Sequence, residues 1–145
     1  MAVTAPEFSR PIDVARLSAG EAVYDIEATE GERTALAARF GLVSLERLTA
    51  HVVLRRVGGG MVRLTASLSA DPVQTDVVTL DPLPAHIEDD FALLFGDADD
   101  DDAALDPDAE PVEPLQNGRI DLGEAVAQQL SLALDPYPRA PGSAI

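Results

Sequence analysis

The chain of 145 residues contains no cysteine. Disulfides, thiolate metal sites and cysteine nucleophiles are thereby excluded together. Lysine is absent as well, and all ten basic residues are arginine, so Schiff-base chemistry and a Walker-type lysine are excluded too. No stretch approaches the ~18 consecutive apolar residues of a membrane span. The beginning of the chain lacks the basic-then-apolar pattern of a secretory leader, which leads to the expectation of a soluble, cytoplasmic protein without a membrane partner. Histidine is scarce: His51 and His86 both fall at polar-face positions, and neither belongs to an H-E-x-x-H pair. None of the seven serines sits in a G-x-S-x-G elbow, so a hydrolase triad has no motif behind it.

What is present is apolar material, 46% of the residues, enough for a packed core. A chain of this length suits one domain. We therefore expect a single domain over 1–145, with its core in about 7–95 plus 119–136. Basic residues are outnumbered: ten Arg stand against 26 Asp and Glu, a formal charge of −16. The imbalance is uneven. Residues 1–73 hold 8 Arg and 9 acids, whereas residues 74–145 hold 2 Arg and 17 acids. A nearly neutral half with net charge −1 is thus joined to a half at −15.

Phe8, Ile12 and Val14 share one parity, which predicts a strand, and Pro11 assigns it to an edge. Tyr24 and Ile26 form a second apolar alternation. Thr29-Glu30-Gly31-Glu32 has the spacing of a capping box at the start of a short helix. Leu36 and Phe40 lie one turn apart on it, and Gly41 follows as the stop. Next, Leu48, Ala50, Val52 and Leu54 alternate with Thr49, His51, Val53 and Arg55, and Val62, Leu64, Ala66 and Leu68 alternate with Arg63, Thr65, Ser67 and Ser69. Gly58-Gly59-Gly60 separates the two runs, the signature of a β-hairpin. A three-residue loop pairs Val57 with Met61, which puts Leu54 opposite Leu64 and Val52 opposite Ala66.

A further strand is expected over Val73–Leu80, turning at Asp81-Pro82. Ile87, Phe91, Leu93 and Phe95 share one parity in the next strand, against His86, Glu88 and Asp90. From Gly96 to Gly118 the chain carries nine acids, three prolines and no basic residue, which predicts a mobile acidic loop. Asp121 and Glu124 then have capping-box spacing, and Leu122, Val126, Leu130, Ala133 and Leu134 line one face of an amphipathic helix. Asp135-Pro136 ends that helix, leaving an extended tail over 137–145. Strands with two helices and no βαβ alternation predict an α+β domain around an antiparallel sheet, with a central Gly-turn hairpin.

Three groups of residues invite a chemical reading. Gly58-Gly59-Gly60 precedes no helix that could hold a phosphate, so the turn reading is preferred. Asp97, Asp99 and Asp101 have the 1-3-5 spacing of a calcium loop. Asp102, however, stands where a glycine is wanted, and Asp108 stands where a bidentate Glu is wanted. No metal and no cofactor are therefore expected. Finally, the hairpin register sets Arg55 directly opposite Arg63, with Arg56 adjacent. Like charges so placed are destabilising unless an anion lies between them. An internal carboxylate such as Glu88 or Asp90, plain solvent, or a bound phosphate would each answer that repulsion.

The stretches EFSRPIDVARL (Glu7–Leu17), VQTDVVTLDPLPAHIEDDFALLF (Val73–Phe95) and GRIDLGEAVAQQLSLALDPYPRAPG (Gly118–Gly142) together carry a resemblance. In order and spacing they resemble the alphaproteobacterial branch of the YceD family, the large ribosomal RNA subunit accumulation proteins. The resemblance implies a non-enzymatic role in accumulation or maturation of large-subunit (23S) ribosomal RNA. Many members of that family carry a Cys-x-x-Cys pair in the central region. Asp76 and Thr79 occupy those positions here, so thiolate or redox chemistry is not open to this chain. The simplest reading of Asp76 and Thr79 is as surface strand residues.

Two partners follow as expectations. One is a basic ribosomal protein, held by Asp97, Asp99, Asp100, Asp101, Asp102, Asp106 and Asp108 acting as an acidic adaptor. The other is large-subunit rRNA precursor, touched by Arg47, Arg55, Arg56 and Arg63; a net charge of −16 disfavours it. An enzyme, such as a two-metal nuclease, needs rigidly held carboxylates, and those here fall mainly in the expected loop. No small-molecule substrate is expected.

Overall fold

The computed structural model describes residues 7–17, 20–96, 112–115, 117–135 and 138. In chain order the elements are β1 (Pro11–Asp13), a 3-10 turn (Val14–Arg16), β2 (Glu21–Glu27), α1 (Glu30–Phe40) and β3 (Ser44–Val57). A 3-10 turn at Gly58–Gly60 leads to β4 (Met61–Thr75), then β5 (Pro82–Pro84), β6 (Ile87–Gly96), β7 (Val112–Pro114), β8 (Arg119–Asp121) and α2 (Leu122–Ala133). The larger sheet has the order β2-β3-β4-β6-β7, with β5 also on β4, while β1 pairs with β8 alone. The fold is α+β, with two α-helices among the described residues.

The β3–β4 hairpin is the spine. Val57 pairs with Met61, Leu54 with Leu64 and Val52 with Ala66. Because strand side chains alternate, this register sends Leu48, Ala50, Val52, Leu54, Val62, Leu64, Ala66 and Leu68 to one face, and all are buried. They join one core cluster with Phe8, Leu36, Ile120, Leu122, Val126 and Leu130. Each large aliphatic side chain so buried contributes about 1.5–3 kcal/mol.

Both helices are capped by their own sequence. The Thr29 hydroxyl accepts the Glu32 N–H, and the Glu32 carboxylate accepts the Thr29 N–H. Gly41 closes α1 in the left-handed conformation, at φ 69°. Asp121 caps α2 by accepting from Glu124 N–H (3.2 Å), and it also accepts from Arg10 N–H (2.7 Å) and the Ser9 hydroxyl (2.6 Å). The segment before β1 is thus fastened to the start of α2. There Gly123 permits a close approach, because an added Cβ would lie 2.5 Å from the Phe8 carbonyl oxygen.

Four expectations require correction. The strand expected from Phe8 to Val14 is confined to Pro11–Asp13: Phe8 enters the core, and Val14 opens a 3-10 turn capped by Asp13. No separate strand covers Val73–Leu80, because β4 runs unbroken to Thr75 and the chain then turns. The turn forms because the Asp76 carboxylate accepts the N–H groups of Val78 (2.7 Å) and Thr79 (3.1 Å), local bonds that compete with a ladder. Asp76 is therefore a buried turn residue, 2% exposed, and not a surface strand residue; Thr79 lies exposed in the same turn. Lastly, the segment Gly96–Gly118 contains a strand, β7, whose Val112 pairs with Leu94 in parallel, so the sheet is mixed.

Candidate functional site

Beyond the register shift at Leu45–Leu48, the odd-numbered side chains of β3 (49–57) and those of β4 from 61 to 69 lie on the face opposite the core, and the register arranges them in cross-strand rows. Val57 and Met61 flank the glycine turn, and the next row on this face is Glu21, Arg55, Arg63 and Leu94. The next is Val23, Val53, Thr65 and Ala92, followed by Asp25, His51, Ser67 and Asp90. Leu94 is buried yet stands outside the core cluster, as its place on this second face requires.

The four candidate arginines do not form one patch. Arg55 and Arg63 are directly opposed, as the turn length implies, and Arg55 forms an ion pair with Glu21. The carboxylate beside Arg55 is therefore neither Glu88 nor Asp90; Asp90 instead accepts the Ser67 hydroxyl at 2.7 Å. Arg56, of opposite parity, donates to the Val14 carbonyl at 2.5 Å and the Leu17 carbonyl at 3.4 Å, holding the 3-10 turn. Arg47 lies within the register shift between Leu45 and Leu48, near His86 and far along β3 from Arg55. The acidic candidates Asp97, Asp99, Asp100, Asp101, Asp102, Asp106 and Asp108 lie outside the described residues.

Both histidines contact carboxylates. His51 Nδ1 lies 2.6 Å from Asp25, and His86 Nδ1 lies 2.6 Å from Asp71. The hydrogen bond to Asp71, with the nearby charges of Asp71 and Glu88, raises the His86 pKa above its ordinary value, while Arg47 opposes the rise. Asp25, His51 and Ser67 stand side by side in one row, as a charge-relay set would. Ser67 donates to Asp90, however, and both inner strands have neighbours on each side, so their N–H groups serve ladders. A serine nucleophile here has no oxyanion donors aimed at it. Among the described residues no group of three or more His, Cys, Asp or Glu side chains could hold a metal ion.

Sequence reasoning missed two sets of arginines. Arg10 binds Glu32 with both amino groups (2.7 and 2.8 Å), and Arg39 binds Glu124 (2.9 and 3.1 Å) and Glu7 (3.2 Å). These pairs join the helices and the segment before β1. The Arg10 guanidinium holds the Glu32 carboxyl down at about 2, with help from the Thr29 N–H and against partial burial. The second set is Arg16 and Arg119, which come together at a depression of about 430 Å³ also lined by Ile12, Leu17, Tyr24 and Asp13, whose carboxylate lies 4.0 Å from Arg16. Nothing local relates those two arginines, because it is the β1–β8 pairing that unites them.

No helix among the described residues is long and apolar enough to cross a membrane. No family model matches the chain, and comparison with curated proteins and with solved structures also finds no match.

Proposed function

We propose that this chain is a non-enzymatic factor in accumulation and maturation of large-subunit ribosomal RNA. Its direct partner is a basic ribosomal protein, for which it serves as an acidic adaptor during subunit assembly. The observation that carries the reading is the division of charge, −1 over residues 1–73 and −15 over residues 74–145. An anionic surface of that density speeds encounter with a cationic protein and is strongly sensitive to salt. The resemblance to YceD proteins supplies the ribosomal context, and the hairpin-centred sheet with its final amphipathic helix is the scaffold in this reading. Asp97, Asp99, Asp100, Asp101, Asp102, Asp106 and Asp108 are the partner-binding residues.

The engaged arginines support the adaptor over direct RNA contact. Arg55 is neutralised by Glu21, and Arg56 is occupied by two backbone carbonyls. The RNA reading keeps one observation in its favour: Arg16, Arg119 and Tyr24 around a single depression, since arginine suits phosphate and an aromatic ring suits a base.

The test is capture of RNA-free total protein from the large ribosomal subunit by the immobilised chain. A basic protein retained at low salt and released by added salt is expected, with loss of capture when the seven aspartates are changed to asparagine. Equal capture by that variant overturns the adaptor. If the chain instead retains large-subunit precursor RNA, and Arg16→Ser with Arg119→Ser abolishes this, the RNA reading replaces it.

A further inference from the structure

We infer that the turn joining β4 to β5, residues 76–81, is a preformed apolar docking knuckle for a basic protein chain. This rests on the adaptor reading and adds its short-range contact. Six large apolar side chains are exposed among the described residues, and three of them, Val77 (49%), Val78 (45%) and Leu80 (75%), lie in this turn. A fourth, Val43, is at the same end of the sheet, its N–H donating to the Val73 carbonyl at 2.8 Å.

The turn is held from within. Asp76, the one charged residue buried among the described residues, accepts from the Val78 and Thr79 N–H groups. Its own N–H donates to the Asp81 carbonyl (2.9 Å), and its carbonyl accepts the Leu80 N–H (2.8 Å). Val77 N–H donates to the Pro138 carbonyl (2.8 Å), and Asp81 N–H donates to the Thr79 hydroxyl (3.3 Å). Its backbone is therefore fixed before any partner arrives, which lowers the entropic cost of binding.

Leu80 adds a second, independent observation. Its φ of 67° is left-handed, a conformation suited to glycine or asparagine and strained for leucine. A turn that merely reversed the chain would hold glycine there and polar groups outside. This one keeps a leucine in a strained backbone with its side chain in solvent. Such strain concentrates at sites of recognition and catalysis.

The occupant follows from charge. A second copy would bring two chains of −16 together, and an anionic lipid surface or a nucleic acid would be repelled in the same way. Aliphatic side chains also offer no hydrogen bonds with which to read a base. What fits is a cationic protein with an aliphatic groove for Leu80, whose basic rim would meet the exposed Asp81. Contact of this kind resists salt, whereas the acidic segment's attraction does not.

The experiment uses the full chain, with RNA-free total protein of the large ribosomal subunit as probe. Leu80→Gly removes the side chain and relieves the strain. We expect its thermal midpoint to equal or exceed that of the parent, while retention of the basic protein at raised salt falls about tenfold or more. Val77→Ser with Val78→Ser, which leaves the φ of residue 80 unchanged, should show the same loss. Parent capture with undiminished capture by both variants overturns the knuckle and leaves the adaptor standing. No capture by the parent overturns the adaptor reading itself. A parent dimer in sedimentation that Leu80→Gly dissolves overturns the choice of occupant in favour of a second copy.

Discussion

Glu21 on β2 and Arg55 on β3 are directly opposed and form an ion pair, beside the like-charged Arg63 across the hairpin. The repulsion implied by two facing arginines is thus relieved within the chain. Glu21→Gln should lower the denaturation midpoint at low salt by an amount equivalent to at most about 1 kcal/mol, since the pair is largely exposed. Added salt should shrink the difference, and Arg55→Gln in the same chain should remove most of it. A salt series of urea denaturation curves on the parent and the two variants checks this.

The Glu32 carboxyl works twice, as half of the capping box and as the partner of Arg10. Its folded pKa of about 2 lies below its ordinary 4.5. A depressed carboxyl pKa stabilises the fold fully above the unfolded value and loses that contribution as pH falls towards the folded one. Parent and Glu32→Gln should therefore differ most above pH 4.5 and converge as pH approaches 2. Urea denaturation across that range is the measurement. Thr29→Ala, which removes the cap alone, should cost about 1 kcal/mol.

Two glycines in the helices should respond oppositely to alanine. At Gly123 the new Cβ would lie 2.5 Å from the Phe8 carbonyl oxygen and 2.8 Å from its carbonyl carbon, both backbone atoms. The chain leading into β1 must then shift, at a cost of about 1–3 kcal/mol. At Gly31, within α1, nothing lies within 4 Å of the added carbon. Gly31→Ala should stabilise by about 0.5–1 kcal/mol through the lost freedom of the unfolded chain. Thermal midpoints of the two variants should fall on either side of the parent's.

Asp76 should be costly to truncate. Asp76→Ala leaves the Val78 and Thr79 N–H groups without their acceptor in a partly buried turn, at about 1–3 kcal/mol. Asp76→Asn keeps one carbonyl oxygen and should cost less. Amide hydrogen exchange at Val78 and Thr79 reads the effect directly: protection should drop there first in the alanine variant.

The hairpin was legible because two alternating runs and a three-glycine turn specify the same register, and the opposition of Arg55 to Arg63 followed from it. The start of α1 was legible because Thr29 and Glu32 form a capping box within one helical turn. Asp76 was misread because a Val-rich alternation can continue as a strand or break into a turn. The carboxylate's bonds to N–H groups two and three residues on decide for the turn. The knuckle at Leu80 was hidden for the same reason, since a left-handed leucine leaves no mark in residue order.

Pairings across long separations were not legible at all. Glu21 reaches Arg55 only after α1 returns the chain to the sheet, and no tight turn specifies the β2–β3 register. Arg10 with Glu32, Arg39 with Glu124, and Arg16 beside Arg119 join segments brought together by the closing of the core. By itself, the sequence determined the charge division, the helix caps and the hairpin register, because periodicity, capping and turn chemistry act over a few residues. Only the tertiary structure decided where each arginine goes, because an arginine's partner depends on which distant carboxylates and carbonyls the packed chain brings within reach.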